Sequence, residues 1–186
     1  MSNPDNNTAS TRTTRKNGIA SRIGLVIIAG LVIYFGSMIW GGSLLADGSD
    51  APLWTLPIAD GSGQKLSLQD LQGKVVVLDF WSTTCPPCMK EMKELEKIWR
   101  RMKSREVVVV GIACGGETLA EVTDFGSRKN VEYQLVVDKT GAVSDTYLVR
   151  SLPTIYIIDR DGKIADSHRG FWDGTNVAKA VNRALE

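Results

Sequence analysis

Three kinds of hydrophobic patterning follow one another along this chain. Residues 23–40 (IGLVIIAGLVIYFGSMIW) form an apolar run of 18 without a charge. As a helix rising 1.5 Å per residue the run spans roughly 27 Å, close to the ~30 Å of a bilayer's hydrocarbon core. It has no polar face, which argues against a core helix. It also exceeds the roughly 7–15 residues of a signal-peptide core, and Leu44 is a poor small residue two before Ala46, so an uncleaved anchor is expected. GGSLLA at 41–46 extends it, giving a transmembrane segment over 23–46, with Tyr34 and Trp40 suited to an interface. Residues 47–50 (DGSD) read as a polar linker.

Beyond residue 50 the periodicity changes to that of an α/β domain. Strands are expected at 53–58 and 65–68, separated by the turn-rich DGSGQ of 60–64. KVVVLDFW at 74–81 is a strand buried on both faces. Over 86–103, Met92, Leu95, Trp99 and Met102 recur at spacings of 3 and 4, the stripe of an amphipathic helix. VVVVGIA at 107–113 is another buried strand. A helix at 119–129, a strand at 134–137 and a short helix at 141–148 follow. The strand at 154–159 turns through RDGK at 160–163 into an antiparallel return at 163–167, and a helix at 176–185 closes the chain. The order β-β-β-α-β-α-β-α-β-β-α predicts early parallel strands and a late antiparallel edge.

Charge sharpens this division. The 186 residues are 43% hydrophobic and 23% charged with a net charge of +1, which excludes a disordered chain and a strongly basic nucleic-acid binder. The +1 is a composite. Residues 1–22, a disordered basic tail by composition, hold Arg12, Arg15, Lys16 and Arg22 against Asp5. Residues 23–46 hold no charge, and residues 47–186 hold 18 basic and 20 acidic residues. Positive charge before the span alone predicts a cytoplasmic N-terminus and a translocated domain at 51–186. Three cysteines are too few for a disulfide scaffold.

Two of the three lie in WSTTCPPC at 81–88, where an apolar strand gives way to an amphipathic helix. A helix N-terminus stabilises an anion, here the Cys85 thiolate. Two intervening residues let Cys85 and Cys88 close into a small ring, with Cys85 the nucleophile and Cys88, one turn in, the resolving thiol. Pro86 suits the first helical position, and Pro87 stiffens the ring with it. A structural disulfide, a pair of inert thiols and a metal site are the competing readings. The further ligands for a metal, Cys114 and His168, are distant in sequence. A CxxC pair after a strand, in an oxidising compartment, points to redox chemistry.

The domain resembles thioredoxin, and the anchored arrangement is similar to the TlpA/ResA group of extracytoplasmic thiol–disulfide oxidoreductases. The resemblance covers residues 51–186 and rests on DFWSTTCPPCMKE at 79–91, SLPTIYIIDRDGK at 151–163 and APLWTLPIADGSGQKLSLQDLQGK at 51–74. It implies a thioredoxin fold with an extra N-terminal β-hairpin. Pro153 matches the cis-proline beside the redox pair, and Leu152 before it pairs with substrate. Asp79 matches the buried acid of thioredoxin, Glu91 the active-site glutamate of ResA-like proteins. Having both is a departure, as is Thr84 where many relatives carry an aromatic. Trp81 matches the aromatic beneath the site. Trp81, Thr84, Pro86, Pro87 and Leu152 form the expected substrate-contacting set.

The implied activity is a reductase of cysteine pairs in exported proteins such as apocytochrome c or copper-site proteins. A membrane thiol carrier recharges it, and no cofactor or metal is needed beyond the Cys85–Cys88 pair. The soluble domain is expected to be monomeric, on the periplasmic side of the cell membrane. The alternatives are a thiol oxidase and a copper-binding chaperone using the same cysteines. A peroxidase of the peroxiredoxin type is disfavoured, since Ser82 rather than threonine stands three before Cys85. Cys114 is expected at the same sheet edge as a buried free thiol, with a third redox or metal-binding thiol as its sharper alternative. His168 is expected on the surface without a role.

Overall fold

The computed structural model describes residues 43–186 and, ahead of them, Gly30. The span expected at 23–40 therefore lies, Gly30 apart, outside the described residues. Among the described residues no helix is long and apolar enough to cross a membrane. The expected extension of the span is not helical at 43–46. Leu44 and Leu45 instead pack on the domain's core, and the Leu45 amide donates to the Tyr156 hydroxyl at 3.3 Å. Residues 47–50 are likewise tied down. Gly48 donates to the Ile164 carbonyl, the Ile164 amide donates to Ser49, and Asp50 pairs with Lys163 at 2.9 Å.

The strands are β1 (Thr55–Pro57), β2 (Lys65–Ser67), β3 (Val75–Trp81), β4 (Val107–Ala113), β5 (Gln134–Val137), β6 (Thr154–Ile158) and β7 (Ile164–Arg169). The helices are α1 (Pro86–Met102), α2 (Leu119–Lys129), α3 (Ala142–Thr146) and α4 (Gly174–Ala184). β1 and β2 form an antiparallel hairpin, and the other five strands form one sheet in the order β5-β4-β3-β6-β7.

β3, β4 and β5 are parallel, as alternation with helices requires. The reversed strand is β6, which lies beside β3 inside the sheet rather than at its edge. The edge strand, β7, is antiparallel to β6 and so runs with β3. The reason is the path of the chain. After β5 it stays at the same end of the sheet through α3, so β6 must enter from that end. This reversal brings the start of β6 beside the end of β3, with Thr154 opposite Phe80.

Two apolar layers cover the sheet. Val75, Val77 and Trp81 of β3 face α1, α2 and α4, while Val76, Leu78 and Phe80 face the N-terminal segment, the hairpin and Tyr147. Side chains alternate across a strand, so the continuous run 75–81 supplies both cores. Gly111, beside Asp79 in β4, is required by close packing. A Cβ there would lie 2.7 Å from a Leu135 methyl and 3.0 Å from Trp81 Nε1.

Candidate active site

The redox pair stands where β3 ends and α1 begins. Cys85 is the N-cap of α1, in extended conformation, and Pro86 and Pro87 fill the first turn, where a missing N–H is not needed. Cys85 and Cys88 are joined in a disulfide with Cα atoms 5.3 Å apart. The Cys88 amide donates to Cys85 Sγ at 3.3 Å. The sulfurs differ in access: Cys85 is half-buried, whereas Cys88 is fully buried. Thr84, Pro86 and Pro87 are exposed around Cys85.

Glu91, one turn beyond Cys88 on the inward face of α1, is fully buried. Its Oε1 accepts the Trp172 amide at 2.6 Å, and its carboxyl meets that of Asp79. Burial pushes the Glu91 carboxyl up to about 7 against the opposing pull of that amide. Asp79 is also fully buried, with the Glu91 carboxyl as its hydrogen-bond partner. Burial and then the neighbouring Glu91 charge raise its pKa well above the carboxylate range. Two carboxyls thus share one dry region beneath the disulfide, and both favour the protonated form.

The Leu152–Pro153 peptide is cis, with Pro153 buried and Leu152 half-buried. The Pro153 carbonyl accepts the Gly170 amide at 2.8 Å, so the start of β6 and the segment after β7 meet beside the end of β3. Trp81 is buried completely, packed against Phe125 with centroids 4.8 Å apart. It therefore underlies the site and offers substrate no face, unlike Thr84, Pro86, Pro87 and Leu152. His168, expected to be without a role, stacks on Trp172 at 4.9 Å, the residue whose amide holds Glu91.

One polar tie beside the redox pair went unread in the sequence. Glu117, in the loop after β4, ties that loop to the segment before Cys85. Its Oε1 accepts Ser82 Oγ at 2.7 Å, the Thr83 amide at 2.7 Å and Thr83 Oγ1 at 3.2 Å, and its Oε2 accepts the Gly115 amide at 2.8 Å. Burial opposes ionisation here, yet these hydrogen bonds hold the Glu117 carboxyl below its ordinary range. Gly115 is the residue that permits the approach, since a Cβ there would lie 2.3 Å from Ser82 Oγ. The only available signal was GGE after a strand, too short to single out.

Cys114 lies at the same sheet end, its amide donating to the Trp81 carbonyl at 3.0 Å. Burial pushes its thiol up to about 12, so it remains protonated and a poor nucleophile at neutral pH. Among the described residues no group of three or more His, Cys, Asp or Glu is placed to hold a metal ion.

A disulfide capping a helix, with one sulfur accessible and two buried carboxyls behind the other, is arranged for thiol–disulfide exchange. Residues 48–167 match the model of the AhpC/TSA family. The chain belongs to that family. The thioredoxin-like protein YneN of Bacillus subtilis is 37% identical over 141 residues, 75% of this chain and 79% of YneN. The thiol-disulfide oxidoreductase ResA of Bacillus thuringiensis is 34% identical over 123 residues, 66% of this chain and 69% of ResA. A crystal structure from Chlorobium tepidum assigned as thiol:disulfide interchange protein DsbE superposes with a TM-score of 0.70 at 28% identity, over 76% of this chain and 99% of that one. This AhpC/TSA member is a thioredoxin-fold thiol–disulfide oxidoreductase of the ResA/DsbE type.

Proposed function

We propose that the protein is an anchored reductase that opens disulfides of exported proteins, with apocytochrome c or copper-site proteins as the substrate class and cytochrome c biogenesis as the setting. The carrying observation is the asymmetry of the pair: Cys85 is reachable at a helix N-terminus, and Cys88 is buried one turn from Glu91.

The reduced Cys85 thiolate attacks one sulfur of a substrate disulfide. That S–S bond breaks, a mixed disulfide forms, and the released substrate thiolate takes a proton from water. Cys88 then gives its proton to Glu91 and attacks Cys85 Sγ. The second substrate thiolate leaves and takes a proton from water, so the substrate departs as a dithiol carrying two electrons and the Cys85–Cys88 disulfide remains. The helix N-terminus and the Cys88 amide stabilise the Cys85 thiolate. Glu91, poised near neutral pH, suits proton transfer in both directions, and Asp79 is the second acid within reach of the same region. Leu152 offers backbone to the substrate beside Pro153, with Thr84, Pro86 and Pro87 as the rim.

The chemistry needs no cofactor. A membrane thiol carrier returns the electrons. In this reading the apolar run 23–40 is the anchor and residues 1–22 are the cytoplasmic end, with the redox domain on the periplasmic side. Leu44 and Leu45 belong to the domain's core, so the membrane-spanning part of that segment ends before them.

Equilibration with glutathione tests the direction. A potential clearly more reducing than glutathione's pool is expected, and one as oxidising as about −120 mV would make the protein an oxidase. Cys88→Ser stalls the mixed disulfide, and the protein trapped on Cys85 identifies the substrate. Protease protection in sealed cells tests the orientation: cleavage confined to residues 1–22 from outside the membrane would reverse it.

A further inference from the structure

A groove of about 370 Å³ runs between α1 and α2, beginning one helical turn below the nucleophile. Its floor is Met89, Met92, Phe125 and Val131. The Met89 amide donates to the Cys85 carbonyl at 3.3 Å, and Phe125 lies against Trp81, so the floor is continuous with the redox pair. From Met89 to Arg100 the groove follows α1 for roughly 16 Å at 1.5 Å per residue. An extended peptide covers that in about five residues. Methionine floors adapt to apolar side chains of different shape.

The rim carries uncompensated positive charge. Lys93 on α1 and Lys129 at the end of α2 are exposed at the groove, and neither has an ion-pair partner among the described residues. Lys97 and Arg100 farther along are already engaged, by Glu94 at 2.7 Å and by Glu96 and Glu132 at 3.0 and 2.6 Å. The two free lysines flank the apolar floor, one from each helix. An apolar groove with a charged rim, adjoining a reactive group, is the form of a docking site.

We propose that this groove is a second docking subsite for the substrate protein, taking an apolar side chain followed by acidic residues on the substrate chain near the cysteine that joins Cys85. The proposal rests on exchange through Cys85. Once that mixed disulfide exists, the neighbouring substrate residues are held at high local concentration over the groove, so weak contacts suffice to select a sequence.

The test is the exchange kinetics of the full chain in detergent with two synthetic peptides, each closed by one disulfide. One carries Leu-Glu-Glu and the other Leu-Lys-Lys, placed beside a cysteine at the same spacing. The acidic peptide is expected to react with a kcat/KM about fivefold higher, as two exposed charge pairs allow. The difference should lie in KM and shrink in about 0.5 M salt. Lys93→Glu combined with Lys129→Glu is expected to reverse the preference. Hydroxyethyl disulfide separates the two possible failures. No exchange with it overturns the reading of Cys85 and the subsite together. Ordinary exchange with it, alongside equal rates on the two peptides, overturns the subsite alone. Lost binding of the double variant to vesicles of anionic phospholipid, with peptide preference intact, also overturns it and makes the groove a membrane-facing surface.

Discussion

On the sheet face that carries the hairpin, buried polar tips find partners. The Tyr147 hydroxyl donates to the Pro52 carbonyl at 2.7 Å, and the Tyr156 hydroxyl donates to the Tyr147 carbonyl at 2.6 Å. Phe80 packs against both rings, 5.3 and 6.2 Å away, and the two rings meet each other at 5.2 Å. The opposite face buries Asp79, Trp81, Glu91 and Tyr133; it leaves Trp81 Nε1 and the Tyr133 hydroxyl unpaired, and the Asp79 and Glu91 carboxyls meet only each other and the Trp172 amide. Unpaired buried groups cost stability. They collect behind the disulfide, where a carboxyl that resists ionisation is useful as a proton acceptor of tuned strength. The paired face holds the fold together, and the unpaired face carries the chemistry at a cost in stability.

Four measurements break or sharpen that contrast. The largest expected effect is on the paired face: Phe80→Ala should cost about 3–5 kcal/mol in urea unfolding, without altering the pH profile of exchange. A changed profile would dissolve the division between faces. Next, Glu91→Gln should slow resolution of the mixed disulfide by about 100-fold near neutral pH. The Glu91 carboxyl must be ionised to accept the proton, so the parent rate should rise through about pH 7, and the variant should lose that step. A retained step would transfer the role to Asp79.

Asp79→Asn should do the reverse of an ordinary core substitution and stabilise the protein at pH 8 by about 2 kcal/mol. Asp79's pKa is raised on folding. Its neutral form therefore fits the fold at low pH, and the cost of burying it grows as pH rises toward the folded value. The gain should vanish in unfolding measured near pH 3; a gain independent of pH would point to packing instead. The smallest effect is on the paired face again, where Tyr156→Phe should cost about 1 kcal/mol, since it strips the Tyr147 carbonyl of its donor. Opposite signs for Asp79→Asn and Tyr156→Phe at pH 8 are the sharpest form of the comparison.

Much of the fold was legible in the chain. β4, α2 and β5 occupy the expected residues, because continuous apolar runs and an amphipathic stripe are local signals, and Thr118 and Glu121 close α2 with a capping box. The thioredoxin-like sheet and the hairpin followed from motifs. The interior position of the reversed strand β6 did not, because strand direction depends on where α3 leaves the chain. Nor did the packing of Leu44 and Leu45, apolar residues that suit a membrane span as well as a core.

The site divides in the same way. Local sequence placed Cys85 at a helix start, Cys88 one turn in and Asp79 inside a strand, and the family resemblance singled out Glu91, since each relation falls within a few residues of one element. Only the tertiary structure decided what surrounds them. The Trp172 amide reaches Glu91 across 81 positions and Glu117 reaches Ser82 across 35. No periodicity encodes such pairs. They exist because β3, β4, β6 and β7 bring their loops to one end of the sheet, and that convergence sets which buried carboxyl is ionised and which keeps its proton.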